Sequence, residues 1–140
     1  MDFMFSRLVR LLGASFILLT FSLPSSAKVP HAASLDSDYV SALAAANRFL
    51  QAWQSGDGEN GIALLTERAK KGMNPGVLDK FFSASEPSGY EINRGERVRR
   101  GRYEFPVVLV SRVSNKLRRE FSSIVIVDTS NNDWAVDKLP

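Results

Sequence analysis

The chain has 140 residues, 44% of them hydrophobic and 24% charged, with a formal net charge of +3 and no cysteine. That length holds one small domain and is short for two. The missing cysteine excludes disulfides, a thiolate nucleophile, iron–sulfur clusters, cysteine-ligated zinc and a lipid-modified N-terminus, and the lone His31 excludes a histidine-rich metal site.

Residues 1–27 read as a secretory signal peptide. Arg7 and Arg10 supply the positive start, and Leu11 to Leu23 is an apolar run of 13 residues. Pro24 ends it, and Ser25-Ser26-Ala27 offers small residues for cleavage. The run falls well short of the roughly 20 residues that span a bilayer, so no stable membrane span is expected after processing. The mature chain is therefore expected to begin at Lys28 and to be periplasmic or extracellular, and not a lipoprotein. Losing Asp2, Arg7 and Arg10 with the leader lowers the net charge from +3 to +2. Residues 28–34 form a flexible lead-in, which gives His31 no fixed orientation for catalysis.

From residue 35 to 140 the pattern is that of one α+β domain, helical first and then stranded. Asp36 is a good N-cap, Asp38 suits the first turn, and Leu35 with Val40 has the spacing of a hydrophobic staple. Tyr39, Leu43, Ala46, Leu50 and Trp53 share one face, widened by Ala42, Ala45 and Phe49. Ser55-Gly56-Asp57-Gly58 stops that helix. A second helix is predicted over Asn60 to Lys71, with Gly72 as its left-handed cap. A third starts at Asn74-Pro75 and carries Val77, Leu78, Phe81 and Phe82. Ser85 to Gly89 is predicted to be the loop at which the period changes.

Four antiparallel strands follow, over about Tyr90–Arg99, Arg102–Val113, Leu117–Thr129 and Trp134–Leu139. Arg100-Gly101, Ser114-Asn115-Lys116 and Ser130-Asn131-Asn132-Asp133 are the turns. A three-residue loop at 114–116 sets Tyr103, Phe105, Val107 and Leu109 on one face with Val127, Val125, Ser123 and Phe121, and Arg102 beside Asp128. A slip by one residue would put Leu109 against Glu120 instead. The opposite face then carries Val108, Val110, Ile124 and Ile126, an apolar row that predicts a homodimer.

Three helices followed by a meander, closing on Asn132-Asp133-Trp134-Ala135-Val136-Asp137, resemble the nuclear-transport-factor-2-like superfamily. The segment Ala46-Asn47-Arg48-Phe49-Leu50-Gln51-Ala52-Trp53-Gln54-Ser55-Gly56-Asp57 is similar to its first helix. The resemblance runs over about 36–139 and points to exported bacterial members of unknown function. It implies a cone-shaped fold, with N-terminal helices packed on a curved four-stranded antiparallel sheet. It also implies sheet-to-sheet dimers. Enzymes of that superfamily place an Asp, His or Tyr inside the cone. Here Tyr103 is the polar handle expected on the inward face, with Ser123 nearby, while Glu104, Glu120 and Asp128 fall on the other.

No residue is assigned as catalytic, and no cofactor or metal is expected. Gly56-Asp57-Gly58-Glu59-Asn60-Gly61 matches G-x-G-x-x-G, but it follows a helix where a dinucleotide site needs a strand. The same loop lacks the spaced ligands and final Glu of a calcium site. Most aromatic residues are core, and Phe49, Trp53, Tyr103, Phe105 and Phe121 are the candidates to line a pocket for an apolar ligand. Nine basic residues between Arg94 and Arg119 face only Glu96 and Glu104, a local charge of +7. They are either a solvated edge that blocks aggregation or an anion-binding surface, for which Arg97, Arg99, Arg100 and Arg102 are the candidates. An anionic surface or acidic protein is the partner this implies, and nucleic acid is not expected outside the cytoplasm. The functional reading is an exported, non-catalytic binding or accessory domain. Its alternatives are a small-molecule isomerase or hydratase of the cone type, and a purely structural dimerisation module.

Overall fold

The computed structural model describes residues 36–83, 86–130 and 133–140. The expected signal peptide, the expected lead-in with His31, Leu35 of the expected staple, and Asn131 and Asn132 lie outside them.

The first helix, α1 (Ser37–Ser55), forms as its sequence demands. The Asp36 carboxylate accepts from the Asp38 N–H at 3.1 Å. Gly56 closes it in the left-handed region at φ 70°, its N–H reaching the Ala52 and Trp53 carbonyls. Ala42, Ala45, Ala46, Phe49, Leu50 and Trp53 are buried against the sheet. The expected second helix is two short ones, α2 (Gly58–Ala63) and α3 (Glu67–Gly72). Between them the chain runs beside residue 136: the Val136 N–H donates to the Leu64 carbonyl at 2.8 Å, and the Thr66 N–H donates to the Val136 carbonyl at 2.9 Å. Thr66 then starts α3 afresh, its hydroxyl accepting from the Ala69 N–H. A threonine is a better cap than a helix interior residue, which is why the break falls there. Gly72 is the last helical residue and not a left-handed cap. The fourth helix, α4 (Pro75–Ser83), begins at Asn74 and Pro75 as read from sequence, with the Gly76 N–H donating to Asn74 Oδ1.

The helices pack on a curled antiparallel half-barrel of five strands, one more than expected. They are β1 (Glu86–Ile92), β2 (Glu96–Arg99), β3 (Arg102–Val113), β4 (Lys116–Ser130) and β5 (Asp133–Lys138). The order is β1-β3-β4-β5, with β2 also on β3. Part of the predicted loop, Glu86 to Gly89, belongs to β1. The predicted strand over Tyr90–Arg99 is broken at Asn93–Gly95, where Phe105 presses on the backbone. A Cβ on Gly95 would stand 2.3 Å from the Phe105 ring.

The β3–β4 register differs by one residue from the one expected from the sequence. Ser114 (φ 49°) and Asn115 (φ 63°) make a two-residue turn, so Val113 pairs with Lys116 and Leu109 with Glu120. Arg102 faces Val127, Tyr103 faces Ile126, and Phe105 faces Ile124. Counting Lys116 as strand and not loop shifts the pairing by one and turns every β4 side chain over. Ile124 and Ile126 are therefore fully buried in the core, not on the outer face with Val108 and Val110. Phe121 is 78% exposed on that outer face.

Candidate functional site

Among the described residues, a cluster of buried aromatic and aliphatic side chains packs between helices and sheet. Phe49, Trp53, Tyr103 and Phe105, four of the five pocket candidates, are buried core residues. Their rings interlock: Tyr103 lies 5.7 Å from Trp134, Tyr39 packs 5.5 Å from Phe105, and Phe49 packs 5.8 Å from Phe82. Phe121, on the outer face, is apart from them. The Tyr103 hydroxyl is engaged, donating to Asp36 Oδ2 at 2.6 Å. Burial, and then the Asp36 carboxylate, pushes that phenol up to about 12. The Tyr103 bond is in turn the main cause holding Asp36 below its ordinary value. Ser123, expected beside Tyr103, stands outside and donates to Glu104 Oε1 at 2.6 Å.

An open groove remains where the end of α1, α4 and the inner face of β3–β4 meet. It encloses about 290 Å³ and is lined by Trp53, Val77, Lys80, Phe81, Leu109, Ser111, Glu120 and Pro140. Trp53 and Phe81, ring centroids 6.3 Å apart, form an aromatic wall. Lys80 comes from α4, Ser111 from β3 and Glu120 from β4, so three elements each supply a polar group. Of the five pocket candidates only Trp53 borders this groove. Glu120 was expected on the opposite face, and the changed register brings it here. Lys80 and Phe81 were legible as helical residues, but nothing in their spacing marked them as groove walls.

A second groove of about 460 Å³ runs between α1 and β1, lined by Val40, Leu43, Ala44, Asn47, Tyr90 and Ile92. The Tyr90 hydroxyl donates to Asn47 Oδ1 at 2.6 Å, and burial raises its pKa. Beside β5, a polar cleft includes Arg48, Thr66, Lys70, Asp133 and Trp134, whose buried Nε1 has no hydrogen-bond partner among the described residues.

The four candidate arginines do not act alike. Arg102 is committed: its Nη1 donates to Asp137 Oδ2 at 2.7 Å. Asp137 Oδ1 also accepts from the Thr66 hydroxyl at 2.9 Å and from Arg68 Nε at 3.0 Å, and Arg68 Nη2 donates to Oδ2. The Arg68 bond is the largest of the causes that bring Asp137 down to about 2. Arg97 pairs across from Tyr103, Arg99 across from Arg102, and Arg100 sits in the turn with Gly101. Of the other five basic residues, Arg94 lies between β1 and β2, and Arg112, Lys116, Arg118 and Arg119 lie at the far end of β3–β4. At about 3.4 Å per residue that is roughly 34 Å away along β3. The local charge of +7 is thus split between two ends of the sheet.

No family model matches the sequence, and no curated protein matches it. Among solved structures the fold is similar to the crystal structure of a SEC-C motif containing protein from Psychrobacter arcticus, at 10% identity and a TM-score of 0.54. The match covers 66% of this chain and 58% of that one, so the chain spans less than two thirds of that protein's length. At this identity the likeness bears on fold: helices over a curled antiparallel sheet.

Proposed function

We propose that the protein is an exported, non-catalytic binding or accessory domain whose ligand sits in the groove between α1, α4 and the inner face of β3–β4. The observation that carries this reading is the meeting of Trp53, Phe81 and Leu109 with Lys80, Ser111 and Glu120 in one open cavity. An apolar wall with few convergent polar groups is the usual form of a small-molecule site. The ligand class that fits is a small amphipathic molecule with a flat apolar body and an anionic group for Lys80. The groove between α1 and β1 offers apolar surface but no charged side chain. The resemblance to the nuclear-transport-factor-2-like superfamily agrees with helices capping a curled sheet, and export rests on the leader sequence.

Titration with 1-anilinonaphthalene-8-sulfonate, followed by dye emission and by tryptophan quenching, tests the groove. Saturable binding is expected, weakened roughly tenfold in Lys80→Glu, where attraction becomes repulsion. Binding unchanged in that variant, or no saturation, would remove the groove from consideration. Intact mass of the secreted protein tests export: a species beginning at Lys28 is expected, and one retaining residues 1–27 argues against it. A cone-type isomerase or hydratase is the second reading, favoured by the Glu120 carboxylate in the groove. Loss of turnover in Glu120→Gln with unchanged dye binding would support it.

A further inference from the structure

Among the described residues, one side of β4 has a neighbouring strand along only part of its length. β3 pairs with β4 from Lys116 to Val127, whereas β5 pairs only with residues from Val125 to Ser130. Among the described residues, Leu117 to Ile124 is therefore an edge. Because Ser114 and Asn115 form a two-residue turn, Val113 and Lys116 make the hydrogen-bonded pair that closes it. Hydrogen-bonded and non-hydrogen-bonded pairs alternate along an antiparallel ladder. Leu117, Arg119 and Phe121 consequently turn their N–H and C=O groups toward the open side. Leu117 is 65% exposed and Phe121 78%, more than any other large apolar side chain among the described residues. Open backbone and exposed apolar side chains on one edge make a template for pairing with another chain.

The edge reads Leu117-Arg118-Arg119-Glu120-Phe121. We propose that it pairs antiparallel with the same edge of a second copy, about a two-fold axis through Arg119. A two-fold perpendicular to the sheet keeps each face on its own side, so only residues of like parity pair. Centred on Arg119, Leu117 meets the partner's Phe121 on the outer face and Arg118 meets the partner's Glu120 on the inner face, each twice. Arg119 against itself is the one like-charge pair. Centred on Arg118, the register opposes two Arg118 side chains and sets Leu117 against Arg119. Centred on Glu120, it opposes two glutamates and sets Leu117 against Ser123. Only the Arg119 register matches apolar with apolar and charge with opposite charge. It also exchanges main-chain hydrogen bonds at three pairs: 117 with 121, 119 with 119, and 121 with 117. An acidic peptide would suit the arginines but would meet Glu120 with like charge. The dimer places the partner's Arg118 beside Glu120, at the groove, although it does not depend on a ligand there.

The protein has no cysteine, so single-cysteine variants read the register directly. At the axis, Arg119→Cys brings two Cα atoms to about 5.5 Å, within disulfide range. Arg118→Cys and Glu120→Cys place their sulfurs on staggered pairs beyond it. Mild oxidation should yield a covalent dimer from Arg119→Cys and little from the other two. In sedimentation, Glu120→Arg should weaken self-association roughly tenfold, by opposing two arginines twice, and Arg118→Glu/Glu120→Arg should restore it. All three positions are exposed, which leaves the fold itself out of the comparison. A monomer at every concentration, cross-linking independent of position, or a dimer unmoved by Glu120→Arg would overturn the proposal. The last outcome would point to packing through Val108 and Val110 instead.

Discussion

Two glycines show how a single missing side chain positions the layers. At Gly61 a Cβ would stand 2.2 Å from the Phe82 ring, and at Gly95 one would stand 2.3 Å from Phe105. Phe105 is fully buried and Phe82 nearly so, and neither ring has room to retreat. Gly95→Ala and Gly61→Ala are each expected to cost about 1–3 kcal/mol, read as a lower denaturant midpoint. Gly72 is the contrast: it ends α3 with an ordinary φ and nothing near its Cβ position. Gly72→Ala should stabilise by about 0.5 kcal/mol, because alanine gives up less backbone freedom on folding. A stabilising Gly95→Ala, or a destabilising Gly72→Ala, would contradict this account of the packing. Residues whose role is local were legible in the sequence. Asp36, Gly56, Asn74 and Pro75 all cap or start helices where expected. Gly61 and Gly95 were not, because the rings that need the space come from Phe82 and Phe105, elsewhere in the chain.

At the scale of elements, one turn decides what the sheet presents. The sequence pattern of β3 and β4 fits either register when only hydrophobicity is weighed, since β4 carries apolar residues on both faces over Ile124–Val127. The turn breaks the tie, and it does so by placing Ser114 and Asn115 in the left-handed region. Asparagine tolerates that conformation well, whereas serine pays for it, so the turn is built at some expense. Ser114→Gly should therefore stabilise the hairpin by about 0.5–1 kcal/mol. The register itself is tested by truncation. Ile124→Ala, in the core, is expected to cost about 2–5 kcal/mol, and Phe121→Ala, on the exposed face, less than about 0.5 kcal/mol. The pairing expected from sequence predicts the reverse order, so one pair of thermal unfolding curves separates them. The groove depends on the same choice, because only this register brings Glu120 to face Lys80 and Trp53.

Across the whole molecule, two part-buried polar clusters are among the fastenings that tie the helices to the sheet, and their titrations bear on the pH range of stability. Asp137 joins β5 to Thr66 and Arg68 at the start of α3 and to Arg102 on β3. Tyr103 on β3 holds Asp36, the cap of α1. Neither was readable beforehand, since Asp137 finds partners 35 to 71 residues away, although Tyr103 was correctly placed inside. Asp137 sits at about 2 when folded and near 3.8 otherwise, so folding favours its ionised form. The stability it adds is complete above about pH 4 and is lost as pH falls toward about 2. Tyr103 is raised from 10.0 to about 12, so folding favours its neutral form. That contribution is complete below about pH 10 and is lost as pH rises toward about 12. Melting temperature should therefore hold a plateau between these limits and fall at both ends. Asp137→Asn should lower stability at neutral pH by about 1–2 kcal/mol, less than the full shift implies because Arg68 is 72% exposed and screened. It should also flatten the acid limb, while leaving the alkaline limb as it was. Tyr103→Phe should do the opposite, flattening the alkaline limb and leaving the acid limb nearly intact apart from the share that Asp36 contributes. If either variant kept both limbs of the parent curve, the fastening it removes would not be what holds the helices on the sheet.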